Sequence, residues 1–272
     1  MTSAQSVQPK YDNSYLRKKN LTIIAAIAII VLMGWFASNY SDYDSIYAIS
    51  SIPFALSWLF TNFMPTADSL QELPEILYQT YSTILAAVAS TTLASVLAIV
   101  VGVLGSNVVG VSSVVVRMAL RVIASVFRNI PIVAWALILL LSFKQGEFTG
   151  FLALFLSTFG QLARLFLDTF DEISVGPVEA LKTTGASYWH IVFQAAIPLA
   201  ITQLMSWILY MVETNIRSAT LVGMLTGSGI GFIFDLYYKN FRYDTAGLVV
   251  LVTIITVIVI ELVSNKVRRS ML

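Results

Sequence analysis

The chain has 272 residues, of which 57% are hydrophobic and 11% charged, with a formal net charge of +1. A soluble fold of this length cannot hide so much apolar surface, so lipid must be its solvent. The near-zero charge gives no footprint for nucleic acid. The absence of cysteine excludes disulfides and thiolate metal sites. The single histidine, His190, cannot build an HExxH-type site, and no Gly-Lys dipeptide exists to form an ATP-binding Walker A loop.

The chain opens with a tail over 1–20 that ends in Arg17-Lys18-Lys19. The apolar run that follows, 21–38, is too long for a signal-peptide core and has no A-x-A site after it, so it reads as a retained first span. Ile52–Met64 is apolar but too short to span and is bracketed by Pro53 and Pro65. It reads as an interfacial or re-entrant helix in a region extending to residue 70. A second span is expected at 77–104, inside a charge-free stretch from Ile76 to Val116. The third, 129–143, falls short of the roughly 20 residues a crossing needs, so it should borrow from the segment before it. The fourth lies at 148–167, the fifth at 197–214 and the sixth at 245–264. Backbone groups in hydrocarbon must bond within their own segment, so the spans are helices. The alternation of a membrane barrel is missing. The expected fold is therefore all-α: a six-transmembrane-helix bundle with a core at 71–267, a polar loop at 174–198 and a tail at 268–272.

Charge placement orients this topology. With the N-terminus inside, the inner side holds Lys10, Arg17, Lys18, Lys19, Arg117, Arg121, Arg128, Arg164, Lys182, Lys266, Arg268 and Arg269. The outer side keeps only Lys144, Arg217, Lys239 and Arg242. The outer loop from Asn39 to Ile76 has five acids (Asp42, Asp44, Asp68, Glu72, Glu75) and no Lys or Arg. The positive-inside rule thus puts both termini in the cytoplasm, with Trp35, Tyr40, Tyr43 and Tyr47 as an outer aromatic belt. Arg117, Arg121 and Arg128 fall within about 40° of one another on a helix. They read as a juxtamembrane face reaching anionic headgroups. A sharper reading has Arg128-Asn129-Ile130-Pro131 bending the third span beside a pathway. Arg164 and Asp168, four apart, should form an ion pair.

Two stretches carry the functional signal. Glu179–Pro198, EALKTTGASYWHIVFQAAIP, lies between the fourth and fifth spans. Gly176-Pro177 suits a helix start and places Glu179 in the first turn, where its charge meets the positive helix end. Gly185 permits a sharp bend. A second short helix, Tyr188–Ala196, leads to Pro198 at the start of the fifth span. This is a helix–turn–helix along one membrane face, and by spacing alone an ordinary amphipathic connector would look similar. His190 there reads as a solvated or interface residue.

Farther on comes Tyr210–Gly231, YMVETNIRSATLVGMLTGSGIG. Glu213 and Arg217 share a helix face and can pair. Charges within a membrane are functional candidates because they are costly. Asn215, Ser218 and Thr220 add hydrogen-bonding groups, and Gly223, Gly227, Gly229 and Gly231 suit a bend or re-entrant turn. The alternative is a glycine-rich packing turn held by one ion pair. GSGIG is not GxGxxG, and no strand precedes it.

The first stretch resembles the EAA loop of ABC importer permeases, EAA-x3-G-x9-I-x-L-P. Glu179, Ala180, Gly185 and Pro198 match, while Leu181, Ala195 and Ile197 depart with apolar side chains. The second resembles phosphonate-type permeases, E-[ST]-N-[IV]-R-S-A-T-x-x-G-x-x-G-x-G-G-I-G. Glu213 through Thr220, Gly223 and Gly229-Ile230-Gly231 match; Thr226-Gly227 and Ser228 depart. The Arg128–Pro131 segment before Val133-Ala134-Trp135, and Thr184-Gly185-Ala186, are also similar to that family. The resemblance covers about 75–265.

It implies a permease subunit without catalytic, cofactor or metal residues, not an enzyme. Glu179, Ala180, Gly185, Ala186 and Pro198 would couple it to a partner. Glu213, Asn215, Arg217, Ser218, Thr220, Gly227, Gly229 and Gly231 would line or gate a pathway, with a bend at Arg128 and Pro131. The implied partners are two ABC ATPase subunits carrying ATP and magnesium, a second permease copy or close relative, and an extracytoplasmic binding protein delivering a phosphonate, phosphite or phosphate. The rival is a secondary transporter or channel, which needs no ATPase and more often shows mid-span ionisable groups or paired broken helices.

Overall fold

The computed structural model describes residues 13–40, 44–173 and 175–271. Lys10, Asp42, Tyr43 and Ser174 of the readings above lie outside them. Every regular element among the described residues is helical, as backbone in hydrocarbon requires. The chain divides into two compact units, Met1–Phe60 and Thr61–Leu272.

The first unit holds α1 (Asn13–Tyr40) and most of α2 (Ser45–Asn62). From Leu21 on, α1 carries apolar residues on every face, as a membrane span does. α2 starts seven residues before the expected Ile52. The cause is Asp44, whose carboxylate accepts from the Tyr47 backbone N–H at 3.0 Å and caps the first turn.

The second unit begins with a 3-10 turn, Ser69–Glu72, and runs through α3 (Leu73–Gly105), α4 (Val114–Asn129), α5 (Ile132–Phe143) and α6 (Glu147–Ile173). Short helices α7 (Val175–Thr183) and α8 (Tyr188–Ile191) follow. A π-helical turn, Val192–Ala196, leads into α9 (Ile197–Thr226), and α10 (Gly229–Lys239) and α11 (Tyr243–Met271) complete the unit.

Among the described residues, five helical runs are long and apolar enough to cross a membrane. The pair α4–α5, bent by 91°, meets the same test when taken together, which makes six if the two are one broken span. The bend is local chemistry. Pro131 lacks an N–H and disfavours helical backbone in the residue before it, and Ile130 is extended at φ −85°, ψ 117°. α5 alone, at 12 residues, is too short to cross, and it passes the length and hydropathy test only together with α4.

α3 and α6 form the centre of this unit. α3 turns Ala87, Thr91, Ala94, Ala98, Gly102 and Gly105 inward, a ridge of small residues that lets another helix approach closely. A Cβ on Gly102 would stand 2.9 Å from Phe166 Cβ. α6 fills the opposite side with Leu162, Phe166 and Phe170, and α9 closes over them with Leu204 and Met211. Between α5, α6 and α9 lies a smaller core around Ala136, Leu154 and Val222. A third core joins Ile76 to α10 and α11 through Ile230, Ile233, Ala246 and Val249.

Three expectations need correction. Arg121 does not reach for headgroups: its guanidinium pairs with Asp171 of α6 at 2.5 Å and donates to the Gly105 carbonyl at 3.0 Å. α9 continues twelve residues past the expected end at 214, and carries Glu213 and Arg217 paired one turn apart at 2.9 Å. α10 was not expected, since its glycine-rich start reads as a turn. The predicted Arg164–Asp168 pair is present at 3.0 Å.

Candidate functional site

The loop between α6 and α9 is a helix–turn–helix. α7 begins at Val175, so Glu179 lies just past the first turn, which holds no acid. Gly185 ends the helix with φ +79° and nothing within 4 Å of where a Cβ would stand. It is needed for its left-handed backbone, and the Ala186 N–H bonds the Leu181 carbonyl at 3.2 Å to close the turn. Glu179, Ala180, Gly185 and Pro198 are exposed, and Ala186 is half-buried. Val178 and Ile191 face the core and anchor the loop from beneath. His190 is exposed, with Nδ1 2.9 Å from Ser187 Oγ.

Next to these lies a feature the sequence reading missed. Trp189 and Phe193 are both 61% exposed and stack at 5.9 Å between ring centroids. Their spacing of four residues was the available signal.

The expected second helix, Tyr188–Ala196, forms but changes type. After α8 the Ile197 N–H reaches back five residues to the Val192 carbonyl. Pro198 explains the wide turn: it has no N–H to donate, and its ring would press on the carbonyl four residues back. The helical run then continues unbroken from Tyr188 to Thr226.

At the other end of α9 the second set of residues separates into three groups. Arg217, half-exposed and paired with the more buried Glu213, borders a cleft of about 320 Å³ shared with Thr220 and with Leu221, Met224, Phe234 and Val249. The Thr220 hydroxyl is buried and has no hydrogen-bond partner. Ser218 is half-buried. Asn215 is only 2% exposed and lies apart from the cleft. Its amide donates to Thr91 of α3 at 2.8 Å and Thr158 of α6 at 2.7 Å, tying three spans together.

The glycines form the third group. Gly227 (φ +68°) and Gly229 (φ +61°) make the turn between α9 and α10. Gly231 is buried, and a Cβ on it would overlap the Thr220 carbonyl. The Ile230 N–H donates to Thr83 of α3 at 2.9 Å, and the Thr226 carbonyl accepts from Gly146 at 2.7 Å. α10 is held further by Arg242, which bonds Glu72 at 2.9 Å and lies 5.0 Å over the Tyr237 ring. Burial, with the Glu72 hydrogen bond, pushes the Tyr237 phenol above its usual range.

The anticipated bend residues are at the α4–α5 break. Arg128 is exposed, and its backbone packs directly on Gly160 of α6. Among the described residues no group of three or more His, Cys, Asp or Glu could hold a metal ion.

An exposed loop continuous with a membrane-crossing helix, in an all-helical bundle, matches known proteins in sequence and shape. The phosphate-import permease protein PhnE of Mycolicibacterium smegmatis is 30% identical over 146 residues, 54% of this chain and 27% of that protein, so the match takes in about a quarter of the relative. The phosphite transport system permease protein PtxC of Stutzerimonas stutzeri is 26% identical over 69% of this chain and 68% of its own length. The fold is that of a chain in the inward-facing MetNI methionine ABC transporter, with a TM-score of 0.64, 20% identity, and coverage of 72% of this chain and 96% of that one. Residues 98–269 match the family described as "Binding-protein-dependent transport system inner membrane component". That match takes in more than half of the sequence, and the chain belongs to this family of multi-pass membrane permease subunits.

Proposed function

We propose that this permease imports a phosphonate or a related phosphorus oxyanion, phosphite or phosphate, by alternating access driven by a partner ATPase. The observation that carries the reading is the exposed helix–glycine–helix of α7 and α8, joined without a break to the helix bearing Glu213 and Arg217. Two ATPase subunits, holding ATP and magnesium, dock on Glu179, Ala180, Gly185 and Ala186. Pro198 marks the joint through which their closure moves α9.

A second copy or close relative completes the pathway. The loop end faces the cytoplasm with both termini, as the Lys and Arg distribution supports. An extracytoplasmic binding protein delivers the ligand to the end bearing α10. The relatives' names supply the substrate class. Arg217, at the edge of an otherwise largely apolar cleft, offers the cation that an oxyanion needs. Glu213 holds Arg217 in place, and Ser218 is the next residue along α9. Gly227, Gly229 and Gly231 serve as the gate-side turn rather than as lining. Asn215 acts as a tie between spans.

The test is ATP hydrolysis by the reconstituted complex. Binding protein loaded with methylphosphonate, phosphite or phosphate should stimulate hydrolysis, and Gly185→Asp should abolish ATPase association while membrane insertion persists. An ATPase that co-purifies normally with Gly185→Asp overturns the docking assignment.

A further inference from the structure

The coupling loop touches the rest of the bundle at a second place. Asp171, in the last turn of α6, accepts hydrogen bonds from three directions. Ser106 Oγ donates to it at 2.6 Å, the Asn107 backbone N–H at 2.7 Å, Asn107 Nδ2 at 3.3 Å and Arg121 of α4 at 2.5 Å. Arg121 also holds the last carbonyl of α3, at Gly105. One carboxylate and one guanidinium therefore join the ends of α3 and α6 to α4. Both are only about one-fifth exposed (21% and 23%), enough burial for the pair to be specific in geometry.

The loop between α3 and α4 is folded tightly on this pair. Ser106 Oγ accepts from the backbone N–H groups of Val108 and Val109, each at 3.1 Å. The Gly110 N–H returns to the Ser106 carbonyl at 3.1 Å, and Val111 N–H to Leu104 at 3.2 Å. Val109 is 3% exposed and packs in the main core. On the far side of this loop, Lys182 of α7 donates its ammonium to the Val108 carbonyl at 2.9 Å. A continuous series of contacts thus runs from α7 through Lys182, Val108, Ser106 and Asp171 to Arg121, and along α4 to the 91° break.

We propose that this series is a second transmission line from the coupling loop, which positions the broken α4–α5 span while the π turn and α9 carry the direct one. Asp171, Arg121 and Lys182 are its positioning residues. The inference rests on the docking reading above. α9 is moved because it is covalently continuous with the loop. α4 has no such continuity, and the Lys182–Val108 and Arg121–Asp171 contacts are polar ties that bring it under the same control. With both lines intact the two spans move together when the ATPases close. With the second cut, α9 still moves and α4–α5 is left behind, so ATP is hydrolysed without productive import.

Two mild substitutions each cut one joint. Asp171→Asn is isosteric, can still accept from Ser106 and Asn107, and removes the charge that holds Arg121. Lys182→Met removes the ammonium and keeps the apolar stem. In the reconstituted complex with its ATPase and methylphosphonate-loaded binding protein, each variant should keep ATPase association and basal hydrolysis within about twofold. Stimulation by binding protein and uptake per ATP should each fall roughly fivefold or more. Because the joints lie in series, the double variant should be no worse than the poorer single one, whereas independent structural defects would add.

Wild-type stimulation in both single variants overturns the proposal. So does a loss that multiplies in the double variant, or one that tracks a fall in thermal midpoint and vanishes on assay at lower temperature. Failure of the wild-type chain to hold the ATPase overturns the docking reading as well, which separates the two ideas.

Discussion

Gly185 and Gly231 are both glycines in the stretches that carry the family signature, yet they are glycine for opposite reasons. Gly185 stands in open space with φ +79°, so its constraint is conformational. Gly231 has ordinary helical backbone in α10, and its constraint is the Thr220 carbonyl occupying the place of a side chain. The loop end of the molecule is therefore specified by exposed shape, the α10 end by backbone contact. A residue at the first can change without disturbing the bundle, whereas a residue at the second cannot change without moving α9.

Substitutions can break this contrast, and the largest effect on stability should come from the packed glycine. Gly231→Val forces α10 away from α9 and should cost about 3 kcal/mol, read as a fall in the thermal midpoint of the detergent-purified chain. An unchanged midpoint would mean that α10 is not packed as described. Asn215→Ala leaves Thr91 and Thr158 without their donor and should cost about 1 kcal/mol by the same assay. Gly185→Ala meets no atom but carries the left-handed strain, also about 1 kcal/mol. ATPase affinity should therefore fall up to about tenfold, while the midpoint falls no further than for Asn215→Ala. A larger fall in midpoint with full affinity would invert the comparison. Arg217→Ala should shift the midpoint least, since the half-exposed guanidinium contributes little, yet phosphonate uptake by the assembled complex should be lost. Normal uptake would remove Arg217 from the pathway.

The spans and the loop were legible in the sequence because both are local signals. Apolar run length sets a crossing, and Pro131 and Gly185 impose their own backbone on their neighbours. The Glu213–Arg217 and Arg164–Asp168 pairs were legible for the same reason, being one helical turn apart. What escaped depends on residues distant in the chain. Arg121 looks like a headgroup anchor until Asp171, fifty residues on, comes beside it. The partners of Asn215 could not be read, because Thr91 and Thr158, which hold its amide, lie 124 and 57 residues away. α10 was hidden because its glycines, which break a helix in a propensity count, are here the residues that let it lie against α9.

The π turn before α9 has a consequence for how this chain can tolerate change in length. Adding or removing one residue in a regular helix turns everything beyond it by about 100°, which would swing Arg217 away from its cleft. Val192–Ala196 already accommodates one residue more than an α-turn. A one-residue deletion there can relax to ordinary α-helix and leave α8 and α9 facing as they do now. The same deletion a few residues into α9 cannot. The joint between loop and span is thus the point of the long helix where relatives of unequal length can stay in phase.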